Sequence, residues 1–325
     1  MDALSDVLRV MRLRGGVYLQ GEFFDPWCIS VQADPRSCAP FLGETAYVIP
    51  YHFVVEGRMR VRVGNGPDLD MGPGEAVLLP HNDVHLLGSD LSRPPLQSRD
   101  YVKNPIDGSL MSIMLGEGGE RTRIVCGFLG AQDVHANPIV AALPSMLYLT
   151  MGDGTSGDWV RSSFQYAAER IAAGRTGSEV MMSKLSELLF VDAIQRYVET
   201  LPEEQIGWLA GLRDTYISRA LALLHARAGE TWTVDALSRE AGLSRSALAE
   251  RFVNVLGMPP MQYLANWRIH VAAQELINSN KPIPQIAQEV GYESEASFTR
   301  AFKRIMKAPP AAWRRRHVGR PPTGA

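Results

Sequence analysis

Histidine and cysteine side chains in the first half of the chain could coordinate a metal, bind an effector or react with a redox signal. His52, His81 and His85 carry imidazole rings, which are common metal ligands but also serve as hydrogen-bonded residues inside β-barrels. The thiols of Cys28 and Cys126 are a second candidate group. We take His52, His85, Cys28 and Cys126 as candidates for effector or redox sensing, and we predict no catalytic residue, cofactor or resident metal.

The cysteines allow two interpretations. A reactive cysteine is accessible to solvent and has a lowered thiol pKa. Cys126 follows Arg121 and Arg123, which could supply a positive potential, whereas Cys28 lies in an apolar segment. The alternative for both, and for Cys38, is ordinary packing of a small residue in the core. No spacing motif decides between the two interpretations.

Composition excludes several classes of protein. The chain has 325 residues, of which 46% are hydrophobic, enough for two or three globular domains. No apolar run approaches the ~20 residues that cross a bilayer, and the first residues lack a signal-peptide core. Three cysteines are too few for a disulfide scaffold, and no glycine motif for nucleotide phosphates follows a predicted strand. We therefore expect a cytoplasmic protein with no membrane partner.

Charge divides the chain into an acidic part and a basic part. The net charge of the whole sequence is -2, but residues 211–325 contain 16 Lys and Arg against 9 Asp and Glu, a net charge of +7. The first 210 residues contain 17 basic and 26 acidic side chains, a net charge of −9. Chance is one explanation. The other is a polyanion-binding module joined to a module that does not bind polyanions.

In the first half of the chain, the sequence predicts β-strands, which would hold the histidine and cysteine side chains in place. Residues 15–90 contain short apolar strands, an Asn-Gly hairpin signal and strict alternation over residues 58–63. Residues 86–108 are rich in Ser, Pro and Asp, which predicts a loop. Two further strands are expected at residues 110–114 and 121–128. Short strands at this spacing indicate a sandwich or a small barrel.

Helical spacing begins at residue 138. It predicts helices over residues 139–143, 159–173 and 178–197. The last of these has a wide apolar stripe, which either packs in a core or forms a helix–helix contact in a dimer. Residues 199–212 are a plausible linker to the basic part.

The basic part contains an internal repeat. Residues 234–242 align with residues 283–291 at an offset of 49, and from Leu248 and Phe298 onward the offset is 50. In each copy an amphipathic helix ends at a Gly, a Ser caps a second helix, and a Pro-Pro pair follows. This is the pattern of a helix-turn-helix. Two copies in tandem on a basic segment predict a DNA-binding module.

Residues 213–316 resemble the DNA-binding domain of the AraC/XylS transcription regulators. One departure is Lys307, where the family usually has Gly before the proline. The resemblance implies a regulator that binds double-stranded promoter DNA, works with RNA polymerase and forms a homodimer on two half-sites. It is carried by Ile286-Ala287, Gly291-Tyr292, Ser297-Phe298, Arg300, Phe302-Lys303, Pro309-Pro310 and Trp313-Arg314.

The resemblance also implies which side chains meet DNA, because the second helix of each unit enters the major groove. Arg245 and Arg300 would contact guanine or phosphate, and Glu250 would accept from cytosine. Ala249 and Ala296 would contact thymine methyl groups, and the basic residues after Arg300 would hold phosphates. For each charge the alternative is a solvated helix face. The full set is Arg245, Ser246, Ala249, Glu250, Glu295, Ala296, Ser297, Thr299, Arg300, Lys303, Arg304, Arg314 and Arg315.

The N-terminal part has a looser resemblance. Residues 47–90 resemble half of a cupin barrel through the segments 54–57 and 72–80. Segments 126–128 and 143–144 are similar to the cupin-type sensor domain on one branch of the AraC regulators. The resemblance implies a sensor for an unknown small-molecule effector.

Metal-binding cupins have a paired His and a Glu ahead of the first of these segments and a further His after the second. His85 matches the last ligand, but Pro50 stands at the Glu position, and Glu44 and Ala46 stand at the paired His positions. With three or four ligands needed, this set is incomplete. The remaining candidates for metal ligands are His52, His81 and His135.

We therefore expect an α+β multidomain protein. A cupin-like β-barrel over residues 1–135 would sense a small molecule or a redox state, and a helical segment over 136–210 would couple and dimerise it. An all-α tandem helix-turn-helix domain would follow over 211–318, with a flexible tail at 319–325.

Two alternatives remain. One is a metal-dependent cupin enzyme with an accessory helical domain, for which Fe, Mn or Zn held by His52, His81 and His85 would be the sign. The other is a DNA-binding protein whose cupin domain is only a dimerisation platform without an effector.

Overall fold

A computed structural model gives the fold. The predicted flexible tail at 319–325 and the residues Glu44, Ala46 and His135 lie outside the part of the chain that it describes. Among the described residues no helix is long and apolar enough to cross a membrane. The described residues are 3–11, 13–36, 38, 47–103, 111–116, 118–131, 140, 142–150, 162–167, 169–170, 173, 175, 177–202 and 205–318.

The described strands of the N-terminal unit form two sheets. In one the order is β11-β6-β3-β10-β1-β9, and in the other it is β5-β4-β7-β2-β8. All pairings are antiparallel except β1 with β9 and β2 with β8. The strands are β1 (Arg14–Phe24), β2 (Cys28–Val31), β3 (Tyr47–Glu56), β4 (Met59–Val63), β5 (Leu69–Met71), β6 (Ala76–Leu78), β7 (His85–Gly88), β8 (Leu96–Gln97), β9 (Met111–Leu115), β10 (Arg121–Ala131) and β11 (Leu147–Leu149).

Side chains from both sheets share one buried core. It includes Phe23 and Val54 from the first sheet and Met59 and Leu87 from the second. Phe23 stacks on Trp27 with their ring centroids 3.9 Å apart. The predicted loop over 86–108 is therefore wrong in part, because β7 and β8 both lie there. A two-residue edge strand such as β8 is too short to show any periodicity, and its pairing partner β2 is distant in sequence.

Strand β3 is buried on both faces, which explains why its sequence does not alternate between apolar and polar residues. Tyr51 and Phe53 pack against Phe164, and the intervening His52 points to the opposite face. The Tyr51 hydroxyl lies 2.7 Å from Ser186 Oγ on helix α2 (Ser178–Thr200). Because the Ser186 hydroxyl donates to the carbonyl of Met182, Tyr51 must be the donor to Ser186. This bond fixes α2 against the first sheet.

The apolar stripe of α2 divides between the interior and the surface. Met182, Leu185 and Leu189 are buried, whereas Leu188 is 48% exposed. Val180, which does not belong to the predicted stripe, is 66% exposed. The core interpretation therefore holds for the buried residues. A dimer contact through the exposed pair stays a prediction.

The C-terminal unit is helical. The two predicted repeats form helix-turn-helix units, α5 with α6 and α8 with α9. Each second helix begins at a Ser whose side-chain oxygen accepts a backbone N–H, namely Ser244 before α6 and Ser294 before α9. The helices are α3 (Trp208–Gly211), α4 (Thr215–Ala226), α5 (Val234–Ala241), α6 (Arg245–Leu256), α7 (Pro260–Asn278), α8 (Ile283–Glu289), α9 (Glu295–Met306) and α10 (Pro310–Val318).

The chain's compact units differ from the predicted domains. One unit comprises Leu13–Val134 and Leu143–Tyr197, and the other comprises Met1–Arg12, His135–Ala142 and Val198–Ala325. The boundary between Tyr197 and Val198 falls 13 residues before the predicted one, which was between residues 210 and 211. The larger difference is at the start of the chain, which groups with the DNA-binding part and not with the barrel.

The first helix, α1 (Ala3–Met11), explains this grouping. Its residues Ala3 and Val7 are each 1% exposed, and it packs on α4 and α7 of the C-terminal unit. An amphipathic pattern shows that a helix needs a partner for its apolar face, but it does not show which partner. For that reason the sequence placed these residues in the barrel domain.

Lys307 occupies a left-handed backbone conformation, with φ at 58°, at the end of α9. The equivalent residue at the end of α6 is Gly257, with φ at 74° and open space where a side chain would begin. In this conformation a residue with a Cβ is destabilised by ~1–2 kcal/mol, and glycine is not.

We expect Lys307→Gly to raise the free energy of unfolding of the C-terminal unit by about 1 kcal/mol, measured by thermal melting of the helical signal.

The matched control is the reverse change in the other repeat. Gly257→Lys should lower the free energy of unfolding by a similar amount, about 1 kcal/mol. If both substitutions shift the melting temperature in the same direction, backbone strain is not the cause.

Candidate DNA-binding surface and sensor cavity

The second helix of each helix-turn-helix unit presents one face to solvent. Leu248 and Phe252 on α6, and Phe298 and Phe302 on α9, are fully buried, so the opposite faces point outward. Most of the predicted DNA contacts lie on these faces. The exposed ones are Arg245, Ser246, Glu250, Glu295, Ala296, Arg300, Lys303, Arg304 and Arg315, and the half-buried ones are Ala249, Ser297, Thr299 and Arg314.

Arg300 and Lys303 have no protein partner. Within the described part of the chain neither side chain forms a hydrogen bond or an ion pair, so both charges are open to a ligand. Arg245 differs, because its Nη1 lies 3.6 Å from the carboxylate of Asp235 and 71% of its side chain is exposed. Such surface pairs contribute only ~0–1 kcal/mol, so a phosphate or a base edge can replace the carboxylate.

Arg314 and Ser297 have partners inside the protein. Arg314 donates from Nε to the carbonyl of Leu276 over 3.2 Å and from Nη2 to the carbonyl of Lys281 over 2.6 Å. The hydroxyl of Ser297 donates to the carbonyl of Ser294 over 2.8 Å. These bonds hold α10 at the end of α7 and close the first turn of α9. The DNA contacts of both residues stay predictions.

Arg268 is a residue that sequence reasoning missed. Its guanidinium donates to the carbonyls of Ala228 and Glu230, each over 2.7 Å, and to the carbonyl of Gly291 over 3.0 Å. Ala228 and Glu230 precede the first helix-turn-helix, and Gly291 forms the turn of the second. The side chain of Arg268 therefore links the two helix-turn-helix units. The available signal was that Arg268 is the single Lys or Arg of α7.

A cavity of about 520 Å³ lies in the N-terminal unit. Strands of both sheets line it, with apolar walls from residues such as Leu19, Phe23 and Ile29. Gln97 and Arg99 also line it and are exposed, so the cavity reaches the surface. Its volume is within the range of ~300–1,000 Å³ that is usual for small-molecule sites.

Two of the four predicted sensing residues, His52 and Cys126, line this cavity, and a third, His85, contacts His52. His52 Nδ1 lies 2.9 Å from Cys126 Sγ, and His52 Nε2 lies 2.7 Å from His85 Nε2. His85 Nδ1 lies 2.9 Å from the carbonyl oxygen of Asp83. Cys126 and His52 are opposite each other on the antiparallel strands β10 and β3, whereas His85 comes from the second sheet. The result is a continuous chain from thiol to imidazole to imidazole to carbonyl.

Burial keeps this chain neutral. Burial lowers the pKa of His52 well below its usual value, and the neighbouring His85 lowers it further. Burial also lowers the pKa of His85. A bond to the Asp83 carbonyl partly opposes the shift at His85. Burial raises the pKa of the Cys126 thiol, so the resting form is a thiol and not a thiolate.

Of the two interpretations of Cys126, the structure supports packing of a small residue in the core and not activation by Arg121 and Arg123. Arg121 donates to both carboxylate oxygens of Glu56 over 2.9 Å, and Arg123 donates to the same carboxylate over 2.8 Å. Their charge is neutralised at the surface by Glu56, whereas Cys126 is 7% exposed. In this case proximity in the sequence did not mean proximity to the thiol.

Cys28 and His81 lie outside this cluster. Cys28 is buried, burial raises its pKa, and it is not among the described residues that line the cavity. His81 Nε2 lies 2.9 Å from the carbonyl oxygen of Leu143. The described residues contain no group of three or more His, Cys, Asp or Glu that could hold a metal. The set His52, His81 and His85 that the enzyme alternative required is therefore not assembled.

Comparisons with known proteins agree with this architecture. Residues 2–199 match a protein-family model described as Cupin, and residues 237–316 match one described as Helix-turn-helix domain. The fold and the two matches define a transcription regulator with an N-terminal cupin domain and a DNA-binding helix-turn-helix domain. The chain belongs to the AraC family of transcription regulators.

The similar proteins cover nearly the whole chain. A putative AraC-like transcription regulator from Streptomyces antibioticus is 28% identical over 97% of this chain and 99% of its own. The regulator AlkR from Acinetobacter baylyi is 26% identical with the same coverage. The crystal structure of the AdpA DNA-binding domain in complex with a target DNA is 28% identical over 32% of this chain and 95% of that chain, with a TM-score of 0.31.

The two family matches confirm the predicted family and fold class. The full-length relatives are transcription regulators, which also confirms the prediction that the protein is not an enzyme.

Proposed function

We propose that this regulator recognises a specific promoter sequence with both helix-turn-helix units and responds to a small-molecule or redox signal received in its cupin domain. The observation that carries the first part is the pair of capped second helices, each with an outward face that bears Arg245 or Arg300. The cavity beside His52 and Cys126 supports the second part, since it is a ligand-sized space inside the domain that does not bind DNA.

The DNA contacts divide into two kinds. Arg300 has no partner among the described residues and lies on the outward face of α9, so it is assigned to a base edge. Lys303 and Arg304 lie further along the same helix and are assigned to phosphates, which position the protein without reading the sequence. Arg245 is assigned to a guanine edge or a phosphate, Glu250 to a cytosine, and Ala249 and Ala296 to thymine methyl groups.

The regulator would act as a homodimer in the cytoplasm. A homodimer places two DNA-binding units on two half-sites, and the exposed Val180 and Leu188 of α2 supply an apolar surface for it. The protein acts in the cytoplasm, where promoter DNA and RNA polymerase are accessible. A ligand that favours one arrangement of the dimer shifts the population toward that arrangement and so changes promoter occupancy.

The test begins with DNA sites selected by the full chain from a random pool. Arg300→Ala should then weaken binding to the selected site by ~1–3 kcal/mol and relax the preference at a single base pair, because one bidentate contact is lost. Fluorescence anisotropy against the selected site and its single-base variants measures both effects.

Lys303→Ala is the matched control. It should weaken binding about equally on every sequence and reduce the slope of log affinity against log salt by about 1, as expected for one lost phosphate contact. A uniform loss for Arg300→Ala would move that residue to the phosphate group. Failure of the full chain to select any DNA at low salt would refute the proposed function.

A further inference from the structure

The hydrogen positions in the thiol–imidazole chain can be assigned from its far end. A carbonyl oxygen only accepts, so His85 Nδ1 carries a hydrogen and donates it to Asp83. In a neutral His85 the Nε2 is then bare, and His52 Nε2–H must donate to it. His52 Nδ1 is bare in turn, and it accepts the S–H of Cys126. Each donor is therefore matched to one acceptor, and a base points at the thiol.

The residue that carries this thiol belongs to the wall of the cavity. Cys126 and His52 are both among the residues that line it, whereas His85 is fully buried and is not among them. Most of the lining residues are apolar, although Ser30, Asp34 and Arg99 also line the cavity. The cavity therefore favours a ligand that is largely apolar, and at about 520 Å³ the ligand must be small.

We propose that Cys126 is a covalent sensing site for small apolar carbon electrophiles, of the class of α,β-unsaturated aldehydes and ketones, with His52 as its proton acceptor. This inference rests on the proposed function and names the ligand class of its cavity. The sulfur forms a bond to the β-carbon, and the carbon–carbon double bond becomes a single bond. The thiol proton passes to His52 and then to the α-carbon. No oxidant, reductant or leaving group is needed.

Burial keeps Cys126 protonated, and the thiolate is the nucleophile toward carbon electrophiles and peroxides alike. A ligand bound in the cavity can react as the proton moves to His52, which is the logic of a nucleophile paired with a base. Most of the described residues that line the cavity are apolar, which favours a carbon electrophile over a peroxide. His85 is a positioning residue in this scheme. It holds His52 with Nδ1 toward the sulfur and can take over the proton from His52 Nε2 beside the Asp83 carbonyl.

The three cysteines of the chain provide an internal comparison that needs no variant. The full-length reduced protein is incubated with trans-2-hexenal, and the adducts on Cys28, Cys38 and Cys126 are quantified over time by peptide mass spectrometry. All three thiols are buried, and Cys38 lines the same cavity as Cys126, so access through the cavity alone predicts similar rates for these two. We expect Cys126 to react at least ~10-fold faster than the other two, from the base contribution. The proposal is overturned if Cys126 stays unmodified or reacts no faster than the others.

Substitution of the base tests the role of His52. His52→Gln should slow the adduct at Cys126 by ~10²-fold, since general-base assistance contributes that order of magnitude. The rates at Cys28 and Cys38 should not change, which excludes a general opening of the fold. In the wild type the Cys126 reaction should also slow in D2O, and this isotope effect should disappear in His52→Gln. An unchanged rate at Cys126 in the variant would overturn the role of His52.

DNA binding separates this inference from the proposed function. Protein with the adduct at Cys126 should differ in affinity for the selected site by at least ~5-fold, the lower end of ordinary allosteric coupling. Cys126→Ser, which forms no such adduct, should keep its affinity when treated. An adduct that leaves the affinity unchanged overturns the sensing role alone. A protein that selects no DNA before treatment overturns the proposed function, whatever the adduct does.

Discussion

Phe302→Ala should lower the free energy of unfolding of the C-terminal unit by ~3–5 kcal/mol, the usual cost of truncating a fully buried phenylalanine. Phe302 is 0% exposed and packs between Phe298 and Trp313, with ring centroids 5.5 and 6.0 Å away. Its removal leaves a cavity in the core that supports α9. In thermal melting, the transition of this unit should fall by on the order of 10 °C.

The internal repeat supplies the matched variant. Phe252 is the equivalent residue under α6 and is also 0% exposed, so Phe252→Ala should cost a similar ~3–5 kcal/mol. The two variants should differ in the footprint on the selected DNA, because each loses the contacts of a different recognition helix. Val253→Ala is the surface control, since Val253 is 42% exposed and its truncation should stay within ~0.5 kcal/mol. A melting curve for Phe302→Ala that matches wild type would mean that this core is not packed as described.

The second large effect is expected for Arg268→Ala, at about 2–4 kcal/mol in the free energy of unfolding, because three hydrogen bonds from a charged group are lost. The carbonyls of Ala228 and Glu230 then separate from that of Gly291, and the two helix-turn-helix units lose a direct link. The consequence for DNA is geometric. We expect wild type to prefer one spacing between its two subsites, and Arg268→Ala to tolerate an added or removed base pair.

Binding to selected sites with altered spacing measures this effect. Arg268→Lys should give an intermediate result, because an ammonium group lacks the planar fork that reaches several carbonyls. Arg239→Ala controls for the loss of one positive charge, since Arg239 is exposed on α5. If Arg268→Ala keeps both the stability and the spacing preference of wild type, the guanidinium does not join the two units.

Most of the DNA-binding unit could be predicted because its signals are local. Each signal acts within about one helix-turn-helix: a glycine ends one helix, a serine caps the next, and an apolar stripe marks the buried face. The repeat at an offset of 49 or 50 showed the same signals a second time. The structure places Ser244 and Ser294 at the predicted caps and buries Phe252 and Phe302 as the stripes required. The structural partners of Arg314 could not be predicted, because they lie 33 and 38 residues away in the sequence.

For the sensor cavity, the sequence indicated the residue types but not their arrangement in space. The sequence singled out His52, His85 and Cys126 by type, but their spacing of 33 and 74 residues matches no motif. They meet because β10 pairs with β3 in the register that sets Cys126 opposite His52, and because the second sheet brings His85 against the first. Sheet register depends on pairing between distant segments, so a single strand does not reveal it.

Patterns along the chain were enough to predict the family, the helix-turn-helix repeats and the division of charge between an acidic and a basic part. Three features became evident only from the fold: α1 packs with the DNA-binding unit, Arg268 joins the two repeats, and a base faces the Cys126 thiol. The difference lies in the range of the interactions. Helix periodicity and caps are written within a few neighbouring residues, whereas a buried contact depends on which distant surfaces exclude water together.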